Sequence, residues 1–155
     1  MKVLAIDPGA TTGWVLYDAD AKRVLSSGQF RGHTHESDDD MMPSSKVVVI
    51  ERPKGYHGSP GAVVDCGYVC GRIVQGFEER GVKAHEMFRH EIRAVLQEAT
   101  HGTIRVKNDA TAWAALKLLH GDGCDKKGGS IYGVKAHERA ALAVAVAWVM
   151  RKVTT

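Results

Sequence analysis

The amino-terminal segment joins a short apolar strand to a tight turn through one aspartate. Residues 2–6 read Lys-Val-Leu-Ala-Ile, Asp7 follows, and Pro-Gly-Ala-Thr-Thr-Gly-Trp runs on from it. Because side chains alternate between the two faces of a strand, Asp7 shares a face with Val3 and Ala5. The proline and glycines after Asp7 let the backbone fold back into a second strand near Trp14. The segment therefore predicts a carboxylate at a strand tip, a geometry that suits a metal ion or a phosphate.

The size and composition of the chain restrict its architecture. A chain of 155 residues has the size of one ordinary domain, so we predict a single domain over residues 1–155. Hydrophobic residues make up 44% of it, and no apolar run is long enough to span a bilayer. An actin-like or sugar-kinase ATPase also opens on a strand and a phosphate loop, but it needs two such domains around its nucleotide. We therefore expect no nucleotide cofactor and no membrane partner.

The cysteines favour a reducing compartment. Their number is odd, at three, and no secretory segment precedes Lys2, so we expect a cytoplasmic protein without a disulfide framework. Cys66 and Cys70 are one helical turn apart, but no second pair at the spacing of a zinc site follows, and Cys124 stands alone. We interpret all three as structural or incidental small hydrophobes.

Hydrophobic periodicity predicts three antiparallel strands, then units of strand and helix, then an apolar final helix. One β-branched run, buried on both faces as in an internal parallel strand, ends in Glu51. This order is that of a ribonuclease H-like α/β fold: a mixed five-stranded sheet flanked by helices on both faces. The predicted strands are 2–7, 13–18, 22–30, 46–51 and 82–87, and the predicted helices are 59–80, 89–99, 109–120 and 136–152.

Two acids end strands that are neighbours in such a sheet. Asp7 ends the first strand and Glu51 the fourth, so their carboxylates meet at one edge. Two neighbouring carboxylates repel each other unless a positive charge lies between them, and a divalent cation is the simplest source of that charge. Mg²⁺ prefers oxygen ligands, and two ions about 4 Å apart can activate water and stabilise a leaving oxygen in phosphodiester hydrolysis. The alternative for Asp7 is a residue that only forms the turn.

The opening motif, Glu51 and the start of the last helix together resemble the RuvC-like nucleases of the ribonuclease H superfamily. The resemblance covers most of the chain. Family members carry an acid or histidine on the last helix, an aspartate three positions on, and an apolar stretch after it. Here His137 and the apolar stretch are present, but residue 140 is alanine. Positions three apart share a helix face, whereas Glu138 is rotated by about 100° and is no ready substitute for the missing acid.

This resemblance implies a homodimeric, metal-dependent endonuclease that resolves Holliday junctions and other branched DNA by paired nicking. The site would hold two divalent ions, Mg²⁺ or Mn²⁺. Asp7 would bridge the two ions and Glu51 would hold one of them. His137, with the acid expected at 140, would hold or polarise the other. The small size is similar to that of the phage-encoded branch, which implies the cytoplasm of a bacterium or a phage-infected host.

Ala140 has two interpretations. Either the natural protein has lost a ligand and only binds DNA, or the chain is a deliberately inactivated variant in which Asp is replaced by Ala. We favour the second, because Asp7, Glu51 and His137 would have little reason to persist together after catalysis was lost. The alternative for His137 is a residue that merely caps a core helix.

Several basic residues are candidate DNA contacts. The net charge of +3 and the pI near 8.8 permit a nucleic-acid partner, and cations recur near the two acids and at helix starts, Arg89 among them. Tyr56 is a candidate wedge that stacks on an opened base at a branch point. The candidate phosphate contacts are Arg52, Lys54, Arg93, Lys107 and Lys135.

The long helix at 59–80 is the expected dimer interface. Its glycines would let two copies approach closely across a two-fold axis, although they could equally pack on the sheet. Two other functions use the same residues: a ribonuclease acting on RNA or hybrids, and a non-catalytic protein that binds branched DNA.

Overall fold

The structure is a computed structural model that describes residues 1–31, 45–53 and 60–153. Two candidate DNA contacts, Lys54 and Tyr56, lie outside these residues. The strands of the described part are β1 (Lys2–Asp7), β2 (Thr11–Asp18), β3 (Arg23–Arg31), β4 (Val48–Arg52) and β5 (Ala84–Phe88). Its helices are α1 (Pro60–Glu79), α2 (Arg89–Ala99), α3 (Asp109–His120) and α4 (Ala136–Val153).

The strands form one five-stranded sheet in the order β3-β2-β1-β4-β5. The pairs β1–β2 and β2–β3 are antiparallel, while β1–β4 and β4–β5 are parallel. This arrangement confirms the predicted mixed sheet and its α/β fold class. β2 begins at Thr11, two residues before its predicted start, because Thr11 and Thr12 already pair with β3.

Strand alternation sends the side chains of the inner strands into two separate cores. Val3, Ala5 and Val49 face one core, which α2, α3 and α4 cover. Leu4 and Ile50 face the other core, which α1 covers with apolar side chains of its middle turns. The helices therefore lie on both faces of the sheet, as predicted, and the Val3 face is also the face of Asp7.

The helix boundaries follow local capping chemistry. α3 begins after Asn108, whose side chain accepts a hydrogen bond of 2.9 Å from the backbone N–H of Thr111. α1 is followed by Gly81, which has a positive φ of 74°, and the N–H of Val82 donates back to the carbonyl of Phe77. Within the described residues, no helix combines the length and apolarity needed to cross a membrane.

Two glycines of α1 do not pack on the sheet. A Cβ atom built on Gly67 or Gly71 would have no neighbouring atom within 4 Å, and both residues are exposed. The alternative in which these glycines pack on the sheet is therefore wrong for this pair. The side of α1 that contacts the sheet carries larger residues, including Ile73 and Phe77.

Candidate active site

Two buried carboxylates lie side by side at one edge of the sheet. The parallel register pairs Ala5 with Val49 and Ile6 with Ile50, and the next residue in each strand is an acid. Asp7 is 8% exposed and Glu51 is 7% exposed, on the face that α4 covers. The structure thus brings together the two acids that strand order alone had placed at neighbouring tips.

A guanidinium group occupies the space between these acids. The Nε atom of Arg89 donates to Glu51 Oε1 at 2.5 Å, and its Nη2 atom lies 3.8 Å from Asp7 Oδ1. Arg89 is the first residue of α2 and directly follows β5, the neighbour of β4. From sequence, Arg89 was recognisable as a cation at a helix start but not as part of the site. Its position just after a strand that adjoins β4 was the available signal.

Burial makes both acids reluctant to ionise, and the charge of Glu51 adds to this effect at Asp7. Burial, and then the charge of Glu51, raise the pKa of Asp7 to about 8, although Arg89 opposes the shift. Burial likewise raises the pKa of Glu51, again against the opposing effect of Arg89. Without a metal ion, the half-exposed guanidinium of Arg89 therefore neutralises the two carboxylates only in part.

His137 and Ala140 face the same pocket as Asp7. His137 Nδ1 lies 4.0 Å from Asp7 Oδ2, and both α4 residues line a cavity of about 790 Å³. The turn after β1 forms another wall of this cavity. Residue 140, where the resemblance to RuvC-like nucleases implies a carboxylate, therefore lines the same cavity as Asp7, but the methyl group of alanine offers no ligand.

Close packing and one buried acid hold the start of α4 in place. A Cβ atom on Gly13 would overlap the backbone of His137, so only glycine lets β2 and α4 approach this closely. Glu138 is 6% exposed, and its Oε2 atom accepts hydrogen bonds from Ser27 Oγ at 2.7 Å and from the Lys135 N–H at 3.1 Å. Glu138 thus anchors the helix to β3 and does not line the pocket.

Three further residues of the pocket were missed by the sequence analysis. Asp109 opens α3 and lines the cavity, and its negative charge adds to the raised pKa of both Asp7 and Glu51. Arg139 and Trp113 line it too, with the guanidinium carbon 4.5 Å from the ring centroid. These residues come from α3 and α4, whose approach over the sheet edge is set by tertiary packing.

The donor chemistry of this site fits a hard divalent cation. Carboxylate oxygens suit Mg²⁺ and Mn²⁺, and the imidazole of His137 is an acceptable further ligand. Within the described ranges, no three His, Cys, Asp or Glu side chains already converge as a ligand set. Instead, the positive charge of Arg89 stands where a cation would neutralise Asp7 and Glu51.

The candidate DNA contacts have different surroundings. Arg52 pairs with Glu86 at 2.8 Å and does not line the pocket. Arg93 is partly buried, and its charge lowers the pKa of Glu51. Lys107 and Lys135 are exposed just before α3 and α4, the two helices that flank the pocket.

The fold is shared with solved RuvC structures. A complex of Thermus thermophilus RuvC with a Holliday junction substrate matches 99% of this chain and 96% of its own, with 14% identity and a TM-score of 0.67. A second T. thermophilus RuvC structure matches with the same coverage, 16% identity and a TM-score of 0.68. No protein-family model matches the chain, and no curated protein sequence does. The chain therefore has a RuvC-like fold of the ribonuclease H type.

Replacing Asp7 by Asn should stabilise the metal-free protein at neutral and alkaline pH. The folded state keeps a proton that the unfolded state releases, because burial raises the pKa of Asp7 from 3.8 to about 8. The stability that this retained proton contributes is fully present below pH 3.8 and is lost as the pH rises to about 8. In EDTA near pH 8, we expect Asp7→Asn to melt about 2–4 °C above the parent, roughly the effect of 1 kcal/mol. Equal melting temperatures there, or a gain that persists at acidic pH, would contradict this account.

Gly13→Ala should destabilise the protein by about 1–3 kcal/mol, the usual cost of overpacking. The added methyl group overlaps the backbone of His137, which cannot move without shifting α4. Urea unfolding measures the change. Gly9→Ala, in the turn just before β2, is the matched control, because its Cβ would lie 3.4 Å from the carbonyl oxygen of Thr11, an ordinary contact. Similar unfolding midpoints for both variants would disprove the close approach.

Proposed function

We propose that this chain derives from a metal-dependent, structure-selective endonuclease that resolves Holliday junctions and other branched DNA by paired nicking. One observation carries the proposal: Asp7 and Glu51 form a buried acidic pair, and Asp7 also lines a pocket together with His137 and residue 140 of α4. The RuvC-like fold supports it, since one structural neighbour was solved with a Holliday junction. The corresponding reaction class is phosphodiester hydrolysis, carried out as a crossover-junction endodeoxyribonuclease.

In this proposal, Asp7 and Glu51 hold the cations and His137 approaches them from α4. Two divalent ions, Mg²⁺ or Mn²⁺, would supply charge stabilisation and lower the pKa of an attacking water. Asp7 interacts with both Glu51 and His137, so it would be the central residue in holding the cations. Gly13 and Glu138 keep α4 at a fixed distance from Asp7, so that His137 and residue 140 meet the same space.

The residue at position 140 leaves this chain without its last acid. Ala140 lines the pocket one helical turn after His137, so an aspartate there would point toward Asp7. We propose that alanine replaces a catalytic aspartate and that the chain is an inactivated form of the enzyme. A non-catalytic protein that binds branched DNA is the second candidate, and the same alanine favours it. A nuclease acting on RNA or hybrids would use the same acids.

Basic groups around the pocket suit a phosphate backbone. Lys107 and Lys135 are exposed beside it, and Arg93 lies close enough to Glu51 to act on its charge. Phosphate contacts of this type supply most of the affinity and make it depend on salt. Arg52 is half-exposed but already pairs with Glu86, so we assign it a smaller share. Lys54 and Tyr56 remain predictions from sequence, as do a phage origin and a cytoplasmic location.

We further propose that two copies associate through the outer face of α1. Val64 is 68% exposed and Tyr68 is 55% exposed, and Gly67 and Gly71 lie beside them at helical spacing. Small residues flanked by exposed apolar ones permit two helices to approach closely. A two-fold pair would fix the distance between two active sites, which paired nicking requires.

Restoring the acid should restore cleavage. We expect Ala140→Asp to cut a labelled four-way junction in Mg²⁺ on the order of 100-fold or more faster than the parent, because a metal site contributes several kcal/mol to the transition state. The measurement is single-turnover cleavage of the junction, and of a linear DNA duplex, an RNA duplex and an RNA–DNA hybrid of matched sequence. A preference for the junction supports resolution of branched DNA, whereas a preference for RNA or hybrid supports the ribonuclease.

Two variants control this experiment. Ala140→Asn has nearly the shape of aspartate but no charge, and Ala140→Asp combined with Asp7→Asn lacks the acid at the strand tip. Neither should cut. If Ala140→Asp binds junctions but does not cut them, the nuclease proposal fails and the non-catalytic alternative stands.

The dimer interface predicts opposite outcomes for two kinds of substitution on α1. Val64→Glu should shift the protein toward monomer in sedimentation experiments, because it buries a charge between the two copies. Gly71→Ala has open space within one copy, so in a monomer it should stabilise α1 by about 1 kcal/mol. In a closely packed dimer it should instead weaken association. A protein that is monomeric at all concentrations would rule out this interface.

A further inference from the structure

We propose that Arg89 is a built-in counter-cation of the Asp7–Glu51 pair and that a divalent cation must displace it to bind. The inference rests on the proposed function, because it concerns metal loading of the same site. It assigns Arg89 as a positioning residue whose contact with the two acids sets the apparent affinity for metal. If Arg89 instead stayed in place and helped to hold the acids when a metal ion is bound, its removal would weaken metal binding.

The guanidinium lies against one oxygen of each of the two carboxylates that would hold a metal ion. Arg89 Nε donates a hydrogen bond to Glu51 Oε1 at 2.5 Å, and Arg89 Nη2 lies 3.8 Å from Asp7 Oδ1. A Mg²⁺ ion binds carboxylate oxygens at about 2.0–2.1 Å. An ion between Asp7 and Glu51 would therefore meet the guanidinium on the same edge of both groups, with two like charges in close contact.

The charges explain why the arginine stays in place when no metal is bound. Both carboxylates are buried, at 10–11% side-chain exposure, and the charge of Glu51 raises the cost of ionising Asp7. An arginine remains protonated at every relevant pH, so its charge is always available to the pair. Of the two contacts, the one to Glu51 is the shorter, which leaves Asp7 the less completely neutralised.

The surroundings give the displaced side chain somewhere to go. The side chain of Arg89 is 49% exposed, so it can turn outward without breaking the core. Asp109 lines the same cavity, and its charge already acts on Arg89 in the direction that favours the guanidinium cation. Asp109 thus provides a second acidic partner at the wall of the pocket once Asp7 and Glu51 are taken by a cation.

The direction in which removal of Arg89 changes the affinity for Mn²⁺ tests the proposal. Mn²⁺ binding to the full chain is measured by isothermal titration calorimetry and by electron paramagnetic resonance of the free ion. If the guanidinium holds the acids in about nine molecules of ten, removing it should tighten Mn²⁺ binding about tenfold. We therefore expect Arg89→Gln to bind Mn²⁺ about tenfold more tightly, and its melting temperature in EDTA to fall. A fixed role in holding the acids in position predicts weaker binding instead.

Two further variants separate charge competition from other effects. Arg105→Gln makes the same change in net charge at an exposed residue that does not line the pocket, and should leave Mn²⁺ affinity within about twofold. Arg89→Lys keeps the charge, so its affinity should stay nearer the parent's than that of Arg89→Gln. Unchanged or weaker binding by Arg89→Gln, or equal tightening by Arg89→Lys, overturns the proposal.

The outcomes also distinguish this inference from the proposed function. If Ala140→Asp cuts junctions and binds Mn²⁺ but Arg89→Gln has no effect on affinity, only the role of Arg89 is lost. If Arg89→Gln tightens Mn²⁺ binding but Ala140→Asp does not cut, the metal site stands and the nuclease does not. If no variant binds Mn²⁺, including Ala140→Asp, both proposals are overturned.

Discussion

Hydrogen bonding between β1 and β4 in parallel register places two buried carboxylates at the same edge of the sheet, and the rest of the site is arranged around their repulsion. Asp7 and Glu51 follow paired apolar residues, so neither can leave this edge without breaking the core. Burial in a medium of low dielectric makes the resulting demand for a cation strong. Arg89 offsets part of the negative charge of the pair, and Asp109 adds a further negative charge at the wall of the same pocket.

The last helix converts this acidic pair into a pocket. α4 packs across β1, β2 and β4, and it is buried along most of its length, so its rotation is set by the core. At its start, the missing side chain of Gly13 and the buried carboxylate of Glu138 determine how near it lies to Asp7. An acid in the sequence is therefore not always a candidate ligand: Glu138 adjoins His137 but serves the helix start.

Alanine at position 140 separates the architecture of the site from its chemistry. The fold depends on β1, β4 and α4, and the pocket forms with alanine at position 140. Alanine adds no negative charge to this site, so Arg89 balances a larger share of the acidic charge than it would beside an acid at position 140. Resemblance of fold at 14–16% identity carries no information on this point, since the shared features lie in the backbone.

Much of this molecule could be predicted from local sequence. Period-two alternation placed Asp7 on the Val3 face, hydrophobic periodicity placed α2 and α3, and helical spacing put His137 and residue 140 on one side of α4. The contact of Arg89 with Glu51, the inward position of Asp109 and the outward position of Gly67 were decided only in the tertiary structure. The physical reason is range. Alternation and capping act between residues a few positions apart, whereas these three depend on which elements become neighbours and on which side of a helix the core lies.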